Sequence, residues 1–355
     1  MNQQIIRCEN IEKDLAALLE SITYSGLYIL TDENTARCCL PRIEKVPQVA
    51  SAKKFTIPAG EENKNLQTLS SVWEFLSQSD ANRRSLLINL GGGLITDLGG
   101  FAAASFKRGI RFINIPTTLL GAVDAAVGGK TGINFCGLKN EIGAFCPADA
   151  VLIDARFFKT LDMTNLLSGY AELLKHALIA EKSDAHSNTE LSRVLSFDFD
   201  NINYDQLNNL LFDSVKIKEN IVRQDPLERG LRKALNLGHT VGHAFESLSH
   251  EQSRPIPHGY AVARGLVCEL YLSFLKLGFD KNALQQVARF VKENYGSFTF
   301  ECSQYPRLLE LMQHDKKNDS SAINFTLLKG VGQIEINQTA DKEEIEEALD
   351  YLREG

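Results

Sequence analysis

The chain has 355 residues, 44% of them apolar and 23% charged, which is ordinary for a globular protein and enough for two domains with cores of their own. A formal net charge of −7 disfavours nucleic acid or an anionic membrane as a partner, so an anionic small molecule would need a local cluster of cations. No apolar run is long enough to span a bilayer, and the opening MNQQIIRCENIEKD turns polar too early for a secretory signal, which leads to the expectation of a cytoplasmic protein. The cysteines (Cys8, Cys38, Cys39, Cys136, Cys146, Cys268 and Cys302) are odd in number and show no C-x-x-C spacing, which argues against a disulfide framework and against a cysteine zinc site.

In chain order, residues 11–22 place Ile11, Leu15, Leu18, Leu19 and Ile22 on one helical face. GLYILTDEN reads as a buried strand, and residues 66–78 return to the helical period. SLLINL at 85–90 is a short apolar strand followed at once by Gly91, Gly92 and Gly93. LITDLGGFAAASFKRG suits a helix with small residues for close packing, and RFINIPTT and AVLID at 150–154 are further strands. Strand–helix alternation predicts a parallel sheet with crossover helices, a Rossmann-like α/β domain. From about residue 160 helical patterns succeed one another, among them LLSGYAELLKHALIAEK, GLRKALNLGHTVGHAFESL and GYAVARGLVCELYLSFLKLG. NFTLLKGVGQIEINQ is strand-like, and DKEEIEEALDYLRE closes with an amphipathic helix. The expectation is an α/β domain over residues 1–158 and a mostly α-helical domain over 159–355, with the active site in the cleft between them.

Three features carry chemistry. A glycine triplet after a strand lets backbone approach a phosphate at a helix N-terminus, but GGGLITDLGGF is not G-x-G-x-x-G and alone fits a tight turn equally well. Asp97 is expected on the first turn of the next helix, as a cap or a cofactor contact. GHTVGHA puts His239 and His243 on one helical face, His258 follows in PIPHGYA, and Glu172 lies on an earlier helix. Histidines plus a carboxylate suit a catalytic divalent metal, although Glu172 and His176 are also i, i+4 and spacing cannot choose between the sets. Lys107, Arg108, Lys130, Lys139, Lys175, Lys218, Arg232, Lys233, Lys316 and Lys317 are scattered; converging, some of them could bind phosphate and carboxylate together.

Taken together, DEN at 32–34, PAGEENK at 58–64, the stretch from GGGLITDLGGF to GGKTGIN, GLKNEIGAF, ERGLRKALNLGHTVGHAFE, PHG and DKK at 315–317 resemble the 3-dehydroquinate synthase family of sugar-phosphate cyclases. The resemblance implies NAD and a divalent metal, usually zinc with cobalt as the alternative, a homodimer, and a lyase that turns 3-deoxy-D-arabino-heptulosonate 7-phosphate into 3-dehydroquinate and phosphate. It implies Glu172, His239 and His258 as metal ligands and His243, Lys175, Glu228 and Lys130 as catalytic residues, with His176 a bystander. NAD contacts map to Asp32, Asn34, Glu61, Lys64, Gly92, Gly93, Asp97, Thr117, Thr118, Leu120, Lys139 and Thr160, with Asp124 near the nicotinamide end. The phosphate side is Lys130, Asn140, Asn236 and His243, with Arg108 from a second subunit; the carboxylate side is Lys218, Arg232 and Lys316. Tyr260 stands where glutamate is common after the third ligand, Asp225-Pro226 replaces a DE pair, VDAAVGGK replaces a version richer in serine, and Thr96 replaces a glycine. Alternative readings are another sugar-phosphate cyclase such as a 2-deoxy-scyllo-inosose or valiolone synthase, a glycerol-dehydrogenase-like NAD oxidoreductase, and a non-catalytic protein that kept the fold.

Overall fold

A computed structural model describes residues 3–180, 187–313 and 323–354. The chain divides into two compact units, Met1–Asp162 with Asn203–Val215, and Met163–Ile202 with Lys216–Gly355.

In the first unit the order is β1 (Gln4–Arg7), α1 (Ile11–Ser21), β2 (Leu27–Asp32), α2 (Glu33–Cys38), the short α3 (Pro47–Ala50), β3 (Lys53–Ile57), α4 (Leu66–Gln78), β4 (Leu86–Gly91), α5 (Gly93–Ser105), β5 (Arg111–Pro116), a hairpin of β6 (Lys130–Phe135) and β7 (Leu138–Phe145), and β8 (Ala150–Ile153). Six strands form one sheet in the order β1-β8-β5-β4-β2-β3, and every adjacent pair is parallel. β2 and β4 are buried at all six positions, as continuous apolar runs in a sheet covered on both faces should be. Thr31 and Asp32 at the end of β2 and Asn89 within β4 are polar exceptions, and the Asn89 amide donates to Asn114 Oδ1 on the adjacent β5 at 3.0 Å. The chain passes from β2 outward to β3 and then returns past β2 to β4 and β5. The strand order therefore reverses between β2 and β4, and the carboxyl ends of those strands are where α/β sheets bind ligands. α5 lies tight on this sheet: a Cβ on Gly99 would stand 2.1 Å from Asn89 Oδ1.

Expected elements recur at 11–21, 66–78 and 86–91, whereas β1, β3 and the β6–β7 hairpin carried no apolar run for periodicity to find. β7 is exposed at nearly every position.

The second unit holds α6 (Met163–Ile179), α7 (Ser187–Leu195), the later part of α8 (Tyr204–Gln224), α9 (His239–Glu251), α10 (His258–Leu277), α11 (Lys281–Tyr295), α12 (Tyr305–Gln313), the antiparallel pair β9 (Asn324–Gly330) and β10 (Gln333–Thr339), and α13 (Lys342–Glu354). Phe245, Leu248, Leu308, Phe325 and Leu349 belong to one buried cluster that joins α9, α12, β9 and α13. The strand-like stretch near 330 is two strands, reversing at Gly332 in the left-handed region (φ 74). GLRKALNLGHTVGHAFESL is not one helix either: a 3-10 turn at Leu231–Asn236 ends before Gly238 (φ 78), and α9 begins at His239. Among the described residues no helix is long and apolar enough to cross a membrane.

Candidate active site

Three helices of the second unit bring Glu172, His239 and His258 together, so that one ligand atom from each lies within 4.8 Å of the others. Glu172 is mid-α6, while His239 and His258 are the first residues of α9 and α10. Close helix approach makes this geometry available. A Cβ on Gly259 would sit 1.8 Å from the Ser168 carbonyl oxygen of α6, and one on Gly265 would sit 2.0 Å from the Gly238 carbonyl oxygen. Glycine at both positions lets α10 come within backbone contact of its neighbours. The Gly259 amide also donates to Ser168 Oγ at 3.1 Å, one turn before Glu172.

The two imidazoles present the same edge. Nε2 of His239 is 3.5 Å and Nε2 of His258 is 3.6 Å from Glu172 Oε1. Nδ1 of His239 lies 3.1 Å from the Leu237 carbonyl, and Nδ1 of His258 lies 3.0 Å from Glu246 Oε2. A ring N–H donated to each of these oxygens turns the Nε2 edge toward the carboxylate, the arrangement that orients histidine for a metal. Glu172 is fully buried; apart from its ion pair with Lys175, neither oxygen accepts a hydrogen bond of ordinary geometry. Lys175 balances the buried charge, and the carboxylate oxygen and two imidazole nitrogens that converge here are a donor set that fits a divalent ion. Burial works against ionisation of Glu172, but Lys175 and the neighbouring histidines outweigh it and hold its pKa well below the ordinary value. For His258, burial pulls down while the Glu172 carboxylate beside its ring and the hydrogen-bonded Glu246 pull harder, and its pKa is pushed up to about 9. His243 stands beside the trio, its ring centroid 5.3 Å from that of His239 and 5.8 Å from that of His258. His176, the other half of the rival pair, is fully buried on α6 and is not in the group.

Cations expected for the substrate are buried in the same unit. Lys175, Lys218 and Arg232 are 1%, 4% and 3% exposed, values that lysine and arginine rarely reach on a structural surface. Arg232 Nη1 donates to the Pro226 carbonyl at 2.7 Å, and Asp225 accepts the amides of Arg229, Gly230 and Arg232. Those amides hold the Asp225 carboxyl below its ordinary pKa. The Asp225-Pro226 departure thus lies in the loop that holds Arg232. Glu228 has positive φ (59) and accepts a hydrogen bond from the Asn236 amide at 3.3 Å. Lys316, like Lys317, lies outside the described residues.

In the first unit, the expected cofactor residues follow the carboxyl ends of parallel strands. Asp32 ends β2 and Asn34 follows it, Glu61 and Lys64 come after β3, Gly92, Gly93 and Asp97 after β4, Thr117, Thr118 and Leu120 after β5, and Thr160 after β8. Asp32 caps α2, accepting the amides of Asn34 and Thr35 at 2.9 Å. Gly92 gives α5 no side-chain cap, which leaves its first amides open to an anion. Asp97 is in the second turn of α5, not the first: α5 starts at Gly93, and Asp97 pairs with Lys64 rather than capping the helix. Lys64 Nζ donates to Asp97 Oδ2 at 2.6 Å and to Asn140 Oδ1 at 2.5 Å. Burial pushes the Asp97 carboxyl up to about 6, against the pull of Lys64. The β6–β7 hairpin docks on this segment, with Asn134 donating to Glu61 Oε1 at 3.0 Å, and it carries Lys130, Lys139 and Asn140 on its exposed surface. Arg108 is exposed in a turn where Lys107, Arg108 and Gly109 all have positive φ, and Asp124 lies in a π-helical turn, Gly121–Ala125.

Two acidic residues escaped the sequence reading. Glu246, seven residues after His239 on the same helical face, orients His258. Glu269, fully buried on α10, accepts the Gly238 amide at 2.6 Å and the Val241 amide at 3.2 Å, and so caps the α9 terminus that carries His239. The spacing from His239 to Glu246 was a legible signal; a cap supplied from another helix had none.

Family models for the 3-dehydroquinate synthase N-terminal and C-terminal regions match residues 54–168 and 169–318. A 3-dehydroquinate synthase from Parabacteroides distasonis is 53% identical over 353 residues, 99% of this chain and 98% of that protein. Among solved structures, a 2-epi-5-epi-valiolone synthase from Streptomyces hygroscopicus with NAD+ and Zn2+ bound superposes with TM-score 0.81 at 23% identity, covering 100% of this chain and 97% of that one. A 2-deoxy-scyllo-inosose synthase complexed with carbaglucose-6-phosphate, NAD+ and Co2+ superposes with TM-score 0.78 at 23% identity over 96% and 94%. At that identity the two structures speak for the fold, while the family models and the near-full-length relative speak for the kind of protein. Set beside a glutamate and two imidazoles oriented for an ion, they lead to one conclusion: the chain belongs to the 3-dehydroquinate synthase family.

Proposed function

We propose that the chain is a carbon–oxygen lyase that converts 3-deoxy-D-arabino-heptulosonate 7-phosphate to 3-dehydroquinate and phosphate, using NAD and a divalent metal, zinc in the first instance. The observation that carries the proposal is the Glu172–His239–His258 group, built from three helices and braced by Leu237 and Glu246. In this reading residues 1–158 bind NAD and residues 159–355 bind metal and substrate, in the cytoplasm and as a homodimer in which Arg108 serves the site of a second copy. The reaction belongs to the biosynthesis of aromatic amino acids through shikimate and chorismate.

When bound, NAD supplies reversible hydride transfer at C4 and the metal supplies Lewis-acid polarisation of the C4 and C5 hydroxyls. Glu172, His239 and His258 hold the ion, and Leu237 and Glu246 keep the two imidazoles turned toward it. Lys218 and Arg232, with Lys316, hold the substrate carboxylate; Lys130, Asn140, Asn236 and Arg108 hold the phosphate. His243, beside the other two rings, moves a proton between substrate oxygen and solvent, a task suited to an imidazole near neutral pH. Lys175 neutralises Glu172 and, with Glu228, borders the hydroxyls. Asp32, Asn34, Glu61, Lys64, Asp97, Thr117, Thr118, Leu120, Lys139, Thr160 and the open α5 amides at Gly92 and Gly93 take NAD, with Asp124 at its nicotinamide end. The carboxylate favours this substrate over the ones that other sugar-phosphate cyclases take: buried Arg232 and Lys218 have reason to be buried cations if an anion meets them.

Incubating the purified protein with the heptulosonate phosphate, catalytic NAD and Zn2+ tests the reading. Dehydroquinate and stoichiometric phosphate are expected. Phosphate release from a carboxylate-free sugar phosphate alone would point to another cyclase, and net NADH from a polyol to an oxidoreductase.

A further inference from the structure

Behind the metal-binding face of α10 lies a buried cation that the reaction does not use. Arg264 is 4% exposed, and its guanidinium meets no carboxylate among the described residues. Nη1 donates to the Tyr260 carbonyl at 3.0 Å and Nη2 to the Tyr295 carbonyl at 2.9 Å. The guanidinium carbon also lies 5.1 Å from the centroid of the Phe298 ring and 5.7 Å from that of Tyr260. Burial pushes its pKa down to about 10, so it remains a cation at neutral pH. A cation is costly to bury in this way for packing alone, since an apolar side chain of similar volume would fill the space.

Its contacts lead to the metal ligands on both sides. Tyr260 is two residues after His258 in the first turn of α10. Tyr295 ends α11, and its hydroxyl donates to the Leu167 carbonyl of α6 at 3.0 Å, in the helix that carries Glu172. The Tyr295 and Tyr260 rings meet edge to face, 5.0 Å between centroids. A continuous path therefore runs from α10 through Arg264 and Tyr295 to α6. The position after the third ligand, where the resemblance leads one to expect glutamate, is Tyr260 here, so rings and carbonyls surround the guanidinium.

We propose that Arg264 is a positioning residue for the metal centre, a guanidinium strut that, through Tyr295, fixes the first turn of α10 against α6 and so holds His258 in place relative to Glu172. The inference rests on the reading of Glu172, His239 and His258 as ligands, and its test separates the two.

Metal-stripped full-length protein is titrated with Co2+ against a chromogenic chelator and its visible absorption spectrum recorded, for wild type, R264M, R264K, Y295F and L349A, with thermal melting of each. R264M keeps the apolar bulk without the donors. It is expected to bind Co2+ at least about tenfold more weakly with an altered spectrum. Y295F should show a smaller change in the same direction, and R264K a partial recovery, because an ammonium can reach one carbonyl. L349A, in the α13 core, controls for stability loss alone and should leave the spectrum unchanged. Wild-type affinity and spectrum in R264M, or an equal loss in L349A at matched stability, would overturn the inference. If R264M does not fold, Y295F decides: an unchanged affinity and spectrum overturns it. Failure of wild type to bind Co2+ would instead defeat the ligand reading, and this inference with it.

Discussion

Glu246 touches His258 through a single hydrogen bond, yet that bond decides which ring nitrogen faces Glu172. Glu246→Ala removes the acceptor and frees the ring. The expected outcome is a loss of about 10- to 100-fold in metal affinity with the fold retained, measured by chelator competition and circular dichroism. Asp97 offers a pH signature. Its folded pKa, about 6, lies above the unfolded value, so the folded chain binds the extra proton in the window between them. The contribution to stability is fully present below about pH 4 and is lost as pH rises through about 6. Relative to Asp97→Asn, wild type should therefore lose on the order of 2 kcal/mol between pH 4 and pH 6 and level off about one pH unit above that. Denaturant unfolding of both proteins across the window checks this; parallel curves would show that Asp97 titrates alike in both states. At this scale the sequence showed residue types and left their partners open. The pairing of Lys64 with Asp97 and Asn140 joins positions 33 and 76 residues apart, which no periodicity connects.

Elements turn these residues into a site by how closely they pack. α6 and α10 meet at Ser168 and Gly259, where a side chain would collide with backbone. Gly259→Ala should force the helices apart, with a cost of about 1–3 kcal/mol typical of overpacking. Because His258 precedes Gly259 and Glu172 is one turn past Ser168, metal content should fall along with melting temperature. Full metal occupancy in a destabilised G259A would separate the two effects and refute the link. The carbonyl oxygen of Gly238 and the body of Gly265 stand in the same relation for α9 and α10. Helices 11–21 and 66–78 and strand 86–91 were legible because each buries one face or a whole run of apolar residues. The β6–β7 hairpin was not, since its second strand is exposed along nearly its whole length and alternates no apolar face.

For the whole molecule, the proposed reaction has no net redox change, so phosphate should appear from the heptulosonate phosphate without accumulation of NADH. Chelation of the metal should abolish turnover while the circular dichroism spectrum stays constant, and Zn2+ or Co2+ should restore it. The second expectation follows from Lys175, which neutralises Glu172 inside the protein, so the helices do not depend on the ion for charge balance. Unfolding on chelation would contradict it. By itself the sequence determined the class of each half, the crossover sheet and the succession of helices, because apolar periodicity is a local property that each segment carries along its own length. It also narrowed the candidate metal ligands to a few carboxylate and imidazole side chains, with the resemblance choosing among them. Only the tertiary structure decided which atoms face one another: the Nε2 edges of two histidines, the carboxylate of Glu246 behind one of them, the cap that Glu269 gives α9, and the Arg264 guanidinium between Tyr260 and Tyr295. These depend on distances between helices set by glycine contacts and packing, and such distances arise from the sum of the packed chain rather than from any one stretch of it.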